Sequence, residues 1–136
     1  MPVRPGIEVL LRENKGLIRG LRVGVVTHPA SVLRDLGHTA DALFNFRGCR
    51  LVSLFGPQHG ARGEEQDNMV ESAFYRDPDT NLPVYSLYGE TRRPTEEMMK
   101  DIDVLLYDLQ DVGTRVYTFV STMAYCMEAC ATWGNA

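Results

Sequence analysis

Two continuous apolar runs, rich in β-branched residues, constrain the fold of this chain most strongly. Arg22–Thr27 and Arg50–Phe55 do not alternate between polar and apolar side chains, and this pattern is typical of strands buried on both faces. Two further candidate strands follow at Leu82–Leu87 and Asp103–Leu109. Because helical stretches separate these runs, the sequence predicts an α/β fold with a mostly parallel sheet and helices on both faces.

Three short helices are predicted between and around these strands. They are residues 7–14, Ala40–Phe46 with Thr39 as its N-cap, and a short helix that begins at Pro94–Thr95 and runs to Lys100. The segment Gly56–Asn81 differs from them because it is polar, rich in Gly, Asp and Asn, and without sustained periodicity. Loops of this length in a compact domain are usually either functional or disordered.

The predicted last helix, Val116–Trp133, carries very little charge. An apolar stripe at helical spacing includes Val120, Met123 and Met127, and Glu128 is the only charged residue of the helix. A helix with so little charge tends to be covered on more than one side. We therefore expect the chain to be the amino-terminal part of a larger protein, or a protomer that forms a homodimer through this helix. Gly134 is a suitable C-terminal stop for the helix.

Length and charge exclude several classes of protein. The 136 residues are expected to form one domain, 1–136, and a net charge of −4 without a basic cluster argues against nucleic-acid binding. The longest uncharged stretch, Val116–Met127, is shorter than the roughly 20 residues of a membrane span. Glu8 and Arg12 interrupt the first apolar cluster, unlike a signal peptide. Three cysteines without a pairing or metal spacing suggest reduced thiols, so we expect a cytoplasmic protein.

The loops that follow the four predicted strands contain most of the residues suited to chemistry. They are Thr27–Ser31, Gly56–Asp67, Tyr88–Arg92 and Gln110–Thr118. Open parallel sheets bind ligands at the carboxyl ends of their strands, which is where these loops lie. Solvent exposure would also make such loops polar, but the number of titratable side chains favours a functional site.

Common site patterns are absent from these loops. No Gly-x-Gly-x-x-Gly follows the first strand, and the chain has no P-loop. Leu105–Asp108 is similar to the acceptor strand of a receiver domain, but Thr27 and His28 stand where an acidic pair would bind Mg²⁺. His28, His38 and His59 lack a zinc-ligand spacing, so neither a metal nor a cofactor is predicted.

Carboxylates on these loops and on the last helix suit acid–base chemistry or sugar binding. The set is Glu64, Glu65, Asp67, Glu90, Asp108, Asp111 and Glu128. Glycoside hydrolysis typically uses two carboxyl groups, one protonated and one ionised. We expect Glu128 to have a raised pKa through burial, with a solvated helix edge as the alternative. Structural roles are the alternative for the other residues. Asp108 and Asp111 are equally suited to bonding backbone amides near the last helix, and Arg115 is equally suited to pairing with Asp111.

Three consecutive segments resemble the NamZ-type exo-β-N-acetylmuramidases, a family formerly known as a domain of unknown function. They are Leu54–Gly60, Leu82–Gly89 and Asp108–Thr118, and the resemblance extends from about Gly6 to Trp133. It implies a Rossmann-like amino-terminal domain, followed in the family by a second subdomain that this chain lacks, with the active site between the two. It also implies a glycoside hydrolase that removes terminal N-acetylmuramic acid from the non-reducing end of peptidoglycan fragments during cell-wall turnover.

The resemblance, together with the loop positions, gives a set of candidate site residues and requires no cofactor. The catalytic candidates are Glu128, Asp111 and His59, and the substrate-binding candidates are Gln58, Arg62, Glu64, Asp108, Arg115 and Tyr117. The family has Glu where this chain has Gln58, and an amide cannot transfer a proton. Gln58 is therefore expected to orient the sugar, while Glu128 or a loop carboxylate supplies the acid. A non-catalytic domain that binds sugar or a protein partner is the alternative.

Overall fold

A five-stranded, mostly parallel sheet is the framework of the protein. The structure is a computed structural model. It describes residues 2–58, 60–63, 74–115 and 117–136, and it describes only the backbone of Phe74. The strands are β1 (Arg22–Thr27), β2 (Arg50–Gly56), β3 (Phe74–Arg76), β4 (Pro83–Ser86) and β5 (Val104–Asp108). Their order is β3-β4-β2-β1-β5; β1 pairs parallel with β2 and β5, β2 pairs parallel with β4, and β3 is antiparallel to β4.

Helices cover both faces of this sheet. They are α1 (Gly6–Arg12), α2 (Thr39–Asn45), α3 (Glu96–Met99) and α4 (Phe119–Trp133), with a 3₁₀ turn at Lys15–Leu17. Helices α1 and α2 share a core with Val23 and Val25 on the first face, whereas α3 and α4 share a core with Val26 and Phe55 on the second. The prediction of a mostly parallel α/β sheet with helices on both faces is thus confirmed. No helix in the described ranges is both long and apolar enough to cross a membrane.

A β-bulge in β2 changes which side chains face each core. Leu51 and Leu54 both belong to the first core, although strand residues three positions apart normally point to opposite faces. The register with β1 moves from Leu51 to Ser53 between consecutive β1 residues, which inserts one extra residue into β2. The bulge therefore places Leu54 on the first face together with Leu51, and Phe55 on the second face.

Two local predictions require correction. The N-cap of α2 is His38, whose ring Nδ1 accepts a hydrogen bond from the Ala40 amide at 3.2 Å, and not Thr39. Strand β3 was not predicted within the polar segment 56–81, because three residues at a sheet edge give too short a pattern to detect.

The buried face of α4 also differs from the predicted one. Val120, Met123 and Met127 are 57%, 40% and 65% exposed. The buried face carries Phe119, Thr122, Cys126 and Ala129. The helix therefore buries a face that mixes one aromatic residue with smaller side chains, while the predicted apolar stripe lies on the exposed side. Gly134 ends the helix in the left-handed conformation at φ 77°, as predicted.

Candidate functional site

The carboxyl ends of β1 and β5 lie side by side at a topological switch point. The connection after β1 leads to α2 on the first face, and the connection after β5 leads to α4 on the second. Adjacent strands whose connections turn to opposite faces form the usual ligand-binding position of an open α/β sheet. We call the polar residues at this position the switch-point site: Thr27, His28, Ser31, Thr39 and Asp108.

Ser31 organises the switch-point site from a buried position. Its Oγ accepts a hydrogen bond from the His28 amide at 3.0 Å and donates its own hydrogen to the Asp108 carbonyl oxygen. The Nδ1 atom of the His28 ring lies 3.0 Å from the same Oγ. Because the one hydroxyl hydrogen is already donated to the carbonyl, Nδ1 must carry a proton to bond Ser31. In the neutral ring the other nitrogen, Nε2, is therefore an acceptor.

The Nε2 atom of His28 makes no hydrogen bond within the described part of the chain, and His28 is half-buried. The edge of the ring meets Phe119 at the start of α4, with the ring centroids 5.2 Å apart and the planes at 85°. Burial lowers the pKa of His28, and the charge of Asp108 only partly offsets this effect, so the neutral ring is favoured.

His38 has the opposite arrangement and uses both of its nitrogens. Its Nδ1 accepts from the Ala40 amide, and its Nε2 donates to the His28 carbonyl oxygen at 3.0 Å. Nearby, the Thr39 hydroxyl donates to Oδ2 of Asp108 at 2.5 Å. These bonds attach the start of α2 to the ends of β1 and β5, so His38 and Thr39 hold the switch-point site in shape.

Asp111, Arg115 and Tyr117 lie in the exposed loop between β5 and α4. Oδ1 of Asp111 accepts a hydrogen bond from the Gly113 amide at 2.7 Å, which is the amide-bonding role considered for it. Arg115 is exposed and makes no ion pair or hydrogen bond with the described residues, so the predicted pair with Asp111 is absent there. The Tyr117 ring meets Phe119 edge-on at 5.5 Å, and the ring of Phe119 also contacts His28.

Gln58 lies in the loop after β2, which folds back onto its own strand. A Cβ on Gly56 would lie 2.7 Å from the Ala61 amide nitrogen, so only glycine fits at this position. A Cβ on Gly63 would lie 2.8 Å from Cγ of Pro29, which shows that this loop contacts the loop after β1. Gln58 itself is half-buried.

Arg62 is held by three carboxylates from two segments, α2 and the β3–β4 turn. It contacts Asp77 at 2.5 Å, Asp41 at 2.6 Å and Asp79 at 3.4 Å. The hydrogen bond with Asp41 is the largest of the effects that raise the pKa of Arg62. Arg62 therefore joins α2 to the β3–β4 turn. This structural role was not predicted for Arg62, which the sequence indicated only as a substrate-binding residue.

The expectation that Glu128 is buried is wrong. Its side chain is 55% exposed and pairs with Arg93 at 2.9 Å, while Arg93 also lies over the Tyr125 ring at 4.6 Å. At about 1.5 Å per residue, Glu128 is about 13 Å along the helix axis from Phe119, the residue of α4 that contacts His28. The shortage of charge on α4 reflects an exposed apolar stripe and not burial of the whole helix. The solvated helix edge is therefore the correct alternative.

Some candidates cannot be placed, and two important residues were missed. His59, Glu64, Glu65 and Asp67 lie outside the described residues. His28 and Ser31 were not chosen as candidates, although they belong to the loop predicted after the first strand. Their position at the end of β1 was the only available signal, since a hydrogen-bond chain leaves no pattern in sequence. The described residues contain no group of three or more His, Cys, Asp or Glu side chains placed to hold a metal ion.

Fold and site together define an open α/β protein with a cluster of polar side chains at the carboxyl edge of its sheet. Residues 23–136 match the family model described as exo-beta-N-acetylmuramidase NamZ, N-terminal. The chain therefore belongs to the NamZ family, which confirms the resemblance seen in its motifs.

Known relatives agree with this assignment. Over 127 residues the chain is 48% identical to the peptidoglycan beta-N-acetylmuramidase NamZ of Bacillus subtilis (strain 168), covering 93% of this chain and 30% of the relative. It is similar to a crystal structure of a DUF1343 family protein from Bacteroides fragilis NCTC 9343, with TM-score 0.86, 48% identity and coverage of 97% and 32%. A second such protein from that strain has TM-score 0.78, 28% identity and coverage of 99% and 33%. The chain spans about a third of the length of these relatives.

Proposed function

We propose that residues 1–136 form the amino-terminal, saccharide-binding domain of an exo-β-N-acetylmuramidase. Its substrate would be the terminal N-acetylmuramic acid at the non-reducing end of a peptidoglycan fragment. The proposal is supported by family membership and by the name of the Bacillus subtilis relative. The observation that carries it is the switch-point site, where buried Ser31 holds the half-buried imidazole of His28 beside Asp108. A cytoplasmic location stays a prediction.

The exposed loop after β5 is suited to recognising the sugar. Arg115 has no partner in the described residues, and its planar guanidinium matches the lactyl carboxylate of muramic acid with two parallel N–H groups. Tyr117 offers an exposed ring on the same loop. Gln58 brings an uncharged amide from the loop after β2 that can orient a sugar hydroxyl.

Asp111 is the carboxylate that we propose for acid–base chemistry. It is exposed and among the described residues bonds only the Gly113 amide, through one oxygen, whereas Asp108 is half-buried and bonded to Thr39, and Glu128 pairs with Arg93. Glycosidases normally require a second carboxyl group, and Glu64 and His59 stay predictions for the remaining chemistry.

A chimeric enzyme tests the proposed function. The matching amino-terminal segment of the Bacillus subtilis relative is replaced by this chain, and release of N-acetylmuramic acid from the MurNAc–GlcNAc disaccharide is measured. We expect release by the chimera and a loss of at least about 100-fold in Asp111→Asn, because proton transfer contributes that much or more to such reactions. Thr132→Ala, at an exposed hydroxyl near the far end of α4, is the matched control. A folded chimera without activity, beside an active parent enzyme, would contradict the proposal.

A non-catalytic sugar-binding domain is the second candidate. It is favoured by the pairing of Glu128 with Arg93 on the helix surface and by Gln58, whose amide cannot transfer a proton. Calorimetry on the chain should then show binding of the disaccharide. The two candidates differ in the chimera, which would bind but not release muramic acid in the non-catalytic case.

A further inference from the structure

We propose that His28 contacts the bound sugar directly, with its unprotonated Nε2 accepting a hydrogen bond from a hydroxyl or amide N–H group of the ligand. This proposal rests on the proposed function, because it names one contact within the same saccharide-binding site. Nothing in the sequence pattern selected His28 for this role. The hydrogen-bond chain through Ser31 is what selects it.

The ring of His28 is oriented before any ligand binds. Its Nδ1 is tied to Ser31, and Ser31 is itself 1% exposed and bonded to the Asp108 carbonyl oxygen. The edge-on contact with Phe119 restrains the ring from the side of α4. A side chain that is fixed in its bound orientation loses less conformational entropy on binding, so such an arrangement favours affinity.

The same contacts determine the chemistry that His28 offers. Since Nδ1 holds the proton, Nε2 presents a lone pair as long as the ring is neutral. The ionisable groups acting on the ring are Asp108 on β5 and His38 before α2, and the packing partner from α4 is the uncharged Phe119. Protonation would turn Nε2 into a donor and remove the acceptor.

A comparison with His38 argues against a purely architectural role. His38 uses Nδ1 and Nε2 to join two backbone segments, as expected of a histidine that holds a loop in place. The ring of the half-buried His28 bonds only through Nδ1, and its Nε2 has no hydrogen-bond partner among the described residues at the carboxyl edge of the sheet. The unused nitrogen is therefore available to a ligand.

Two substitutions distinguish the roles of the two ring nitrogens of His28. In His28→Asn the side-chain amide can replace the Nδ1–H donor to Ser31 but does not reach the position of Nε2. In His28→Gln the longer side chain can place an acceptor near the Nε2 position. We expect N-acetylmuramic acid to bind about tenfold more weakly to His28→Asn, as for the loss of one hydrogen bond, and His28→Gln to recover part of the affinity.

The binding measurement is nuclear magnetic resonance titration of the chain with N-acetylmuramic acid, with Thr132→Ala as the unchanged control. Binding to the wild type should weaken as the pH falls through the pKa of His28, and binding to His28→Gln should lack that step. Nitrogen chemical shifts of the free protein report the tautomer without any ligand. Ser31→Ala should lose the fixed Nδ1–H tautomer.

Each result supports or overturns the proposal. A wild type that binds, with His28→Asn equally tight, overturns the contact while the proposed function stands. A wild type that does not bind overturns both. An Nε2–H tautomer in the free protein contradicts the contact whatever the affinity. A tenfold loss in His28→Asn with partial recovery in His28→Gln supports it.

Discussion

Gly56 lies at the end of β2, where the loop that carries Gln58 packs closely against it. Its hydrogen-bond partner is the Leu87 amide at 2.8 Å, and backbone atoms of Gly60 and Ala61 lie within 3.0 Å of where a Cβ would stand. Backbone atoms cannot rotate away as a flexible side chain can. Any larger residue must therefore move the loop or the strand end.

Gly56→Ala is expected to destabilise the protein by about 1–3 kcal/mol, the usual cost of inserting a methyl group into a packed site. Chemical denaturation measures the change in the free energy of unfolding. Gly16→Ala is the matched control, because a Cβ there meets nothing within 4 Å, and it should change stability by less than about 0.5 kcal/mol. Equal stability of the two variants would contradict the described packing of this loop.

The ion pair of Arg62 with buried Asp77 supplies a second residue-scale prediction. Arg62→Gln leaves the Asp77 carboxylate, which is 2% exposed, without its guanidinium partner. Removing one partner of a buried pair costs about 3–5 kcal/mol, so we expect a loss in the lower part of that range. Asp79→Asn is the control, since Asp79 is exposed and lies at 3.4 Å, and it should cost less than about 1 kcal/mol.

The pH dependence of stability checks the same pair. Burial opposes ionisation of Asp77, but hydrogen bonds from Arg62 and Thr80 outweigh it and keep its pKa below the usual 3.8. The stability that this group contributes is therefore present above about pH 4 and is lost as the pH falls through the lowered pKa. Arg62→Gln should flatten this acid-side loss. An unchanged acid profile in Arg62→Gln would argue against the pair.

At the scale of elements, α4 shows that hydropathy alone does not predict which face of a helix is buried. Its apolar stripe is exposed, and its buried face consists of Phe119, Thr122, Cys126 and Ala129. Burial raises the pKa of the Cys126 thiol to about 12, as expected for a thiol inside the core. Adjacent residues 126 and 127 thus face the core and the solvent, respectively.

Cys126→Ser and Met127→Ser test this orientation within one helical turn. We expect Cys126→Ser to cost about 1–3 kcal/mol, because it buries a hydroxyl among apolar side chains. Met127→Ser should cost less than about 1 kcal/mol, mainly through helix propensity. Thermal unfolding of both variants gives the comparison. A larger loss in Met127→Ser would restore the orientation expected from the sequence.

The elements that the sequence predicted well are those with a strong local pattern. β1 and β2 were found because strands buried on both faces need continuous apolar runs. β3 and the N-cap His38 were missed because a three-residue edge strand depends on its neighbour and histidine is an unusual cap. A homodimer through the exposed stripe of α4 stays a prediction.

The site was harder to predict than the fold, for a physical reason. Loop position correctly brought Asp111, Arg115 and Tyr117 to the end of β5. Glu128 was misplaced because low charge on a helix does not distinguish burial from an exposed apolar stripe. The tautomer of His28 depends on a hydrogen already donated by Ser31, and this information exists only in three dimensions.

At the scale of the whole molecule, topology joins the fold to the proposed function. Connections that leave β1 and β5 toward opposite faces put His28, Asp108 and the β5–α4 loop at one edge of the sheet. The described amino ends of these strands contribute none of the candidate residues. The central claim is therefore that the terminal sugar binds at the carboxyl edge, over the switch-point site.

Chemical-shift mapping by nuclear magnetic resonance, with N-acetylmuramic acid added to the ¹⁵N-labelled chain, tests this claim most directly. We predict that the largest shifts fall on amides of residues 27–31, 56–58 and 108–115, while those of α1 and the carboxyl-terminal half of α4 stay in place. Shifts confined to the exposed stripe of α4 or to the amino ends of the strands would contradict the account, as would the absence of any shift.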